Sequence, residues 1–165
     1  MTAQHYIDHL KLLPHPEGGY YKETYRAEEI IGGQCLPVAF GGSRNISTAI
    51  YYLLEEGHFS AFHKIKSDEC WHFYTGGTLL VHIIDNSGSY KVIKLGGDIT
   101  NGEVFQFVVP ANTWFASEPA LNVAFSLVGC TVAPGFHFDD FEMASKEQLV
   151  EEYSAHRNIM ERLCR

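Results

Sequence analysis

Residues 57–76 read "GHFSAFHKIKSDECWHFYTG". The runs "SAFHKIK" and "ECWHFYT" are rich in aromatic and β-branched residues, and the stretch therefore predicts a pair of strands joined by a tight turn. Side chains alternate across a strand, so His63 and Ile65 share one face. The turn at Lys66 to Asp68 brings Glu69 onto that same inward face, with Trp71 and Phe73 following it. Histidine and glutamate are metal-ligand types, but Ile65 stands where a second histidine would complete the set, and it cannot coordinate anything.

Outward from this stretch the same texture continues. Between Tyr20 and Ala133 lie "STAIYYLL", "TLLVHIID", "YKVIKL", "EVFQFVV" and "NVAFSLVGC", separated by Gly76-Gly77, Asp85-Asn86-Ser87-Gly88, Gly96-Gly97-Asp98, Asn101-Gly102 and Pro110-Ala111-Asn112. Short strands punctuated by turn residues predict an antiparallel sandwich or barrel. Helical spacing of Tyr6, Leu10 and Leu13 predicts a short helix over Thr2 to Leu13, stopped by Pro14 and Pro16. At the other end, Ser145 and Gln148 fit a capping box, and Leu149, Tyr153, His156, Met160 and Leu163 lie on one stripe of an amphipathic helix.

The length of 165 residues and a hydrophobic share of 45% suit a single domain over 1–165. Acidic residues outnumber basic ones, 20 to 12, and no basic cluster could follow a phosphate backbone, which argues against nucleic acid as a partner. No apolar run approaches the roughly 20 residues that cross a bilayer, so no membrane partner is expected. The opening "MTAQHYIDHLKLLP" carries polar residues where a signal peptide would be apolar, and a cytoplasmic protein is expected. Cys35, Cys70, Cys130 and Cys164 form no CxxC pair and read as reduced thiols.

Gly57, His63, Glu69 and Gly76 fit the first cupin motif, G-x5-HxH-x3-E-x6-G, with Ile65 replacing the second histidine. The second motif is met loosely by "GEVFQFVVPANTWFASEP", where Asn112 replaces glycine and Phe115 replaces histidine. Over nearly its whole length the chain resembles the fifth cupin family, small proteins grouped as a domain of unknown function. The phrases that carry the resemblance are "HPEGGYYKETYR", "STAIYYLL", "DECWHFYTG", "VPANTWFAS" and "GFHFDDFEMA", in that order. It implies a mainly β fold, the cupin double-stranded β-helix or jelly-roll barrel with short N-terminal and C-terminal helices, and a homodimer. From the first phrase it also implies that Glu17, Tyr20 and Glu23 rim a pocket.

His63 and Glu69 are the candidate catalytic pair. Burial raises a glutamate pKa and lowers that of a histidine, bringing both toward the range where acid and base catalysis works. The expected function is a barrel that binds a small polar metabolite, a sugar or nucleotide-sugar derivative, with epimerase or isomerase chemistry that needs no metal or other cofactor. Cupins that epimerise nucleotide-linked sugars supply the analogy. A metal-dependent enzyme is the first alternative, with His63 and Glu69 as ligands and a third drawn from His58, His72, His82 or His137. A noncatalytic binding or storage module is the second. Trp71, Tyr74, Trp114 and Phe115 read either as an aromatic ligand wall or as barrel core, and His72 as a ligand contact or a hydrogen-bonded residue on the opposite strand face.

Overall fold

The computed structural model describes residues 1–165. Helix α1 (Ala3–Leu10) is followed by strands β1 (Leu13–Pro14), β2 (Tyr20–Arg26), β3 (Ile30–Ile31), β4 (Arg44–Asn45), β5 (Thr48–Glu55), β6 (Ser60–Ile65) and β7 (Asp68–Gly76). The chain continues through β8 (Leu79–Ile84), β9 (Tyr90–Leu95), β10 (Gln106–Val109), β11 (Trp114–Pro119), β12 (Phe125–Ala133) and β13 (Phe141–Met143) to helices α2 (Lys146–Glu152) and α3 (Arg157–Leu163). A six-stranded sheet in the order β1-β2-β5-β12-β7-β10 faces a five-stranded sheet in the order β13-β6-β11-β8-β9. All pairings between these strands are antiparallel, as in the expected jelly roll. No helix is long and apolar enough to cross a membrane.

Residues 57–76 do not form the two-stranded unit that their spacing predicts. Strands β6 and β7 are not a hairpin: β6 pairs with β11 and β13, whereas β7 pairs with β10 and β12. The chain turns a corner at Lys66-Ser67 and passes from one sheet to the other. The corner is tied by Ser67 Oγ donating to the Pro134 carbonyl at 2.7 Å and the Ala111 N–H donating to Asp68 Oδ1 at 2.8 Å. Asn112 N–H donates to the Ile65 carbonyl at 2.7 Å, and Asn112 holds a φ of 58°. Asparagine is among the few residues that enter this left-handed region readily, which explains how it serves where the second motif has glycine.

The pleat sorts side chains into three apolar clusters. Between the sheets, Tyr52, Leu54, Trp71, Val81, Ile83, Phe115 and Val128 form the interior core. On the outer face of the five-stranded sheet, Phe62, Ile84 and Ala116 are covered by Leu149, Met160 and Leu163 of the C-terminal helices. On the outer face of the six-stranded sheet, Leu53 and Leu127 are covered by Ala3 and Ile7 of α1. Strands β5 and β6 are thereby buried on both faces, and each fully buried Leu or Phe contributes on the order of 1.5–3 kcal/mol.

The terminal helices are shorter than their periodicity predicts. Helix α1 ends at Leu10 because Lys11 adopts a left-handed φ of 56°, which frees Leu13–Pro14 to pair with Tyr20-Tyr21. The C-terminal stripe is broken into two helices by a 3-10 turn at Ser154–His156. Ser145 precedes α2 but its hydroxyl does not cap it, contacting Glu147 Oε2 at 3.2 Å instead.

Residues 134–141 lie across one open end of the sandwich and are held by a buried ion pair. Arg44 grips Asp140 through Nε at 2.5 Å and Nη2 at 2.7 Å, and its remaining donors reach the Phe40 and Ser43 carbonyls. Lys66 adds a contact to Asp140 at 3.3 Å. Breaking such a pair leaves an uncompensated buried charge, at a cost of about 3–5 kcal/mol. Asp140→Ala is expected to lose stability of that order in urea denaturation; a loss below about 1 kcal/mol would mean that the pair does not anchor this segment.

Candidate functional site

Beneath residues 134–141 the interior core thins out and leaves a cavity of about 440 Å³. Its closed end is built from both sheets. His63 and Ile65 enter from β6, Glu69 from β7, Ile50 from β5, and Cys130 and Val132 from β12. The turn before β2 contributes His15 and Glu17, and β2 itself Tyr21, Glu23 and Arg26. Phe136, Phe138 and Phe141 form the aromatic side, meeting edge to face with ring centres 5.2–6.4 Å apart.

Glu17 reaches this interior because Gly18 and Gly19 take φ values of 117° and 70°, turning the chain sharply into β2. A Cβ at Gly18 would collide with the Phe59 carbonyl, so the approach requires glycine. The Glu17 carboxylate lies 2.9 Å from His63 Nδ1 and 3.2 Å from His15 Nδ1. Burial pushes the Glu17 carboxyl up, but the charge and hydrogen-bonding capacity of His63, with help from His15, outweigh it and hold the group below the usual range. Burial likewise opposes charge on His63, yet Glu17 and then Glu69 raise its pKa overall.

Two backbone contacts set the histidine tautomers. His63 Nδ1 lies 2.7 Å from the Ala61 carbonyl, which only accepts, so Nδ1 carries the proton. Nδ1–H points to that carbonyl, and the approach of Glu17 Oε2 is an ion pair rather than a second aligned hydrogen bond. His63 Nε2 has no protein partner. His15 is the reverse case: its Nδ1 accepts from the Glu17 N–H at 3.3 Å, which leaves the proton on Nε2. Burial lowers the His15 pKa against the opposing pull of Glu17, which favours the neutral ring.

Glu69 lies on the opposite sheet from His63, beside the Cys130 thiol. Burial pushes its carboxyl up, His63 pulls it down and Glu17 pushes it up again, with a result of about 7. Two carboxyls in one cavity are therefore driven apart, one ionised by its partner and one poised near neutrality.

A model of the family described as Cupin superfamily (DUF985), Cupin_5, matches residues 4–144. The chain belongs to this cupin family. It is 36% identical to an uncharacterized protein of Saccharomyces cerevisiae, covering 84% of this chain and 73% of that one. A solved structure from Shewanella oneidensis is 38% identical with a TM-score of 0.90, covering 100% of this chain and 98% of that one. A hypothetical protein from Leishmania major is 32% identical with a TM-score of 0.89, covering 99% of both chains. Oxalate decarboxylase from Bacillus subtilis has a TM-score of 0.54 at 15% identity, covering 91% of this chain and 36% of that one, a likeness of fold alone.

The chain does not fit the four-ligand metal centre of metal-binding cupins. Ile65 is packed into the cavity wall, and Phe115 lies against the His63 ring with centroids 4.1 Å apart. No three His, Cys, Asp or Glu side chains are arranged to hold a metal ion. Of the other histidines considered as ligands, only His137 lines the cavity. His58 is exposed beside Glu55, while His72 bridges Thr131 and Gln106 on the outer face of β7. His82 lies under the C-terminal helices between Tyr90 and Glu118.

The structure brings Glu17, His63 and Glu69 together with Glu23, and disperses the other candidates. Trp71 and Phe115 are in the core below the cavity, meeting edge to face at 6.0 Å. Trp114 faces outward beneath the Lys64 ammonium, 4.3 Å away, and Tyr74 is half exposed over Gly129. Tyr20 packs toward α1, and its neighbour Tyr21 lines the cavity instead. The residues that sequence reasoning passed over, His15, Tyr21, Arg26, Phe136, Phe138 and Phe141, all lie in the phrases "HPEGGYYKETYR" and "GFHFDDFEMA".

A carboxyl raised from 4.5 to about 7 keeps a proton in the folded chain that the unfolded chain has released, so its effect on stability worsens as pH rises through that window. Glu69→Gln is expected to raise the melting temperature at pH 8, by up to about 3 kcal/mol of stability, with the gain vanishing below about pH 5. An unchanged gain across that range in thermal unfolding would refute the shift.

Proposed function

We propose that the cavity binds a small polar metabolite and moves protons to and from it, as an epimerase or isomerase does. The observation that carries this is the meeting of His63, whose affinity for a proton Glu17 raises against its burial, with Glu69, which lies near neutrality on the facing sheet. A base and an acid that reach a ligand from opposite walls can remove a proton from a carbon beside a carbonyl and return one elsewhere. Groups with pKa values near the working pH serve such transfers best. His15 supplies a neutral Nε2–H to the developing oxyanion, a donor that is not consumed by the proton traffic.

The chemistry is tested by incubating the protein with sugars, sugar phosphates and nucleotide sugars in deuterated buffer and following C–H to C–D exchange by NMR. Glu69→Gln is expected to cut exchange about 10²–10⁴-fold while leaving ligand binding within a few-fold, and a chelator is expected to change neither. Binding without exchange in the wild-type protein would reduce the function to a noncatalytic binding module.

A homodimer belongs to the same reading, supported by exposed Tyr74, Phe105 and Val108 around the edge strand β10. Sedimentation velocity at micromolar concentration is expected to give a two-chain species; a monomer would remove it.

A further inference from the structure

We infer that the ligand is an uncharged hydroxy-carbonyl compound, a free sugar rather than a sugar phosphate or nucleotide-linked sugar. The choice of a carbonyl rests on the proton-transfer function proposed above; the absence of charge rests on how the cavity's ions are already matched.

Two permanent or induced cations line the cavity, and each has its own carboxylate. His63 is paired with Glu17 at the closed end. At the mouth, Arg26 holds Glu23 through Nε at 3.0 Å and Nη2 at 2.7 Å, while Nη1 reaches Asn45 Oδ1 and the Phe136 carbonyl. That geometry makes Arg26 a strap between β2 and the aromatic segment, with its fork already filled. His137 at the rim faces Asp139 at 3.4 Å. The nearby lysines turn away: Lys64 is on Trp114 and Glu142, and Lys66 is on Asp140 and the Asp139 carbonyl.

Each of these cations thus already has a carboxylate partner. Among the carboxyls of the cavity, the one without a countercharge of its own is Glu69, which faces His63, Glu17 and Cys130. When Glu69 ionises it adds a negative charge to the closed end, and an anion placed a few ångströms away is repelled in a low-dielectric site. The remaining surface suits a sugar. Phe136, Phe138, Phe141 and Tyr21 offer apolar faces to its C–H side, and His15 Nε2–H and His63 Nε2 offer one donor and one donor or acceptor to its oxygens. The volume of about 440 Å³ accommodates a pentose or hexose with its solvent-facing end at the mouth.

The implied step balances without oxidant or cofactor. The Glu69 carboxylate takes the proton from the carbon beside the carbonyl, the C–H electron pair becomes the C=C bond of an enediol(ate), and the carbonyl oxygen takes the charge against His15 Nε2–H. The His63 imidazolium then gives a proton to the opposite face of the same carbon, and the C=O bond re-forms with that centre inverted. The two side chains return to their starting states through solvent.

The test is to measure binding to the wild-type protein by calorimetry or saturation-transfer NMR for D-ribulose, D-fructose and D-glyceraldehyde, each beside its phosphate ester, at pH 6 and pH 8. Some uncharged member is expected to bind at least about tenfold more tightly than its ester at pH 8, with a narrower gap at pH 6 where Glu69 is protonated. Glu69→Gln is expected to narrow the gap at pH 8 without losing the uncharged compound. Tighter binding of the esters, or binding of neither series, overturns the inference. Deuterium exchange in the same samples reports separately on the proposed chemistry: uncharged sugars that bind without exchange keep the ligand class and remove the reaction, whereas exchange in the esters alone does the reverse.

Discussion

The corner between β6 and β7 is the constraint on which the rest depends. Two residues, Lys66 and Ser67, carry the chain from one sheet to the other, and the alternation of side chains stays in phase across them. His63 and Ile65 on one side and Glu69 and Trp71 on the other all face the interior. A shift of one residue would exchange His63 for Lys64 and Glu69 for Cys70, and would turn Phe62 away from the C-terminal helices that it supports. Hydrogen bonds from the turns that precede β11 and follow β12 hold the corner at this phase.

Once His63 and Glu69 are inside, their electrostatics follow from a third residue that the fold brings in separately. A buried histidine alone would be neutral and a buried glutamate alone protonated. Glu17 changes this by ionising beside His63, and it can do so only because the Gly18-Gly19 turn places it against the end of β6. The charge on Glu17 also helps to keep Glu69 from ionising. The cavity thus holds a close Glu17–His63 contact and a carboxyl near neutrality, where a chelating cupin would have a metal and its ligands. Ile65 and Phe115 fit the same logic, since apolar packing against His63 replaces coordination.

Much of the architecture was legible along the chain. The runs of β-forming residues, the turns between them and the two cupin motifs point to the same jelly roll, and the family match over residues 4–144 agrees. Boundaries were less legible where tertiary pairing overrode local preference: Leu13 fits the period of α1 but is drawn into a strand beside Tyr21, and the C-terminal stripe continues across a break at Ser154–His156. In the site, the strand rule placed His63, Glu69 and Trp71 inward and His72 outward, as found. It could not choose between Tyr20 and Tyr21, because the double-glycine turn ahead of β2 erases the phase that alternation needs. Nor could it tell interior core from cavity lining, since Trp71 and Glu69 share one face of one strand and differ only in what lies opposite.

By itself the sequence determined which neighbouring residues of a strand share a face, because alternation is a local property of an extended backbone. It also determined that two of the four usual metal ligands are missing, since that is a matter of residue identity at Ile65 and Phe115. Only the tertiary structure decided that β6 and β7 belong to facing sheets, that Glu17 meets His63, and that residues 134–141 close one end of the sandwich with Phe136, Phe138 and Phe141. These are contacts between segments as far apart as Glu17 and Phe141. Their pairing depends on sheet order and on buried charges finding partners, and neither is written in the spacing of any single stretch.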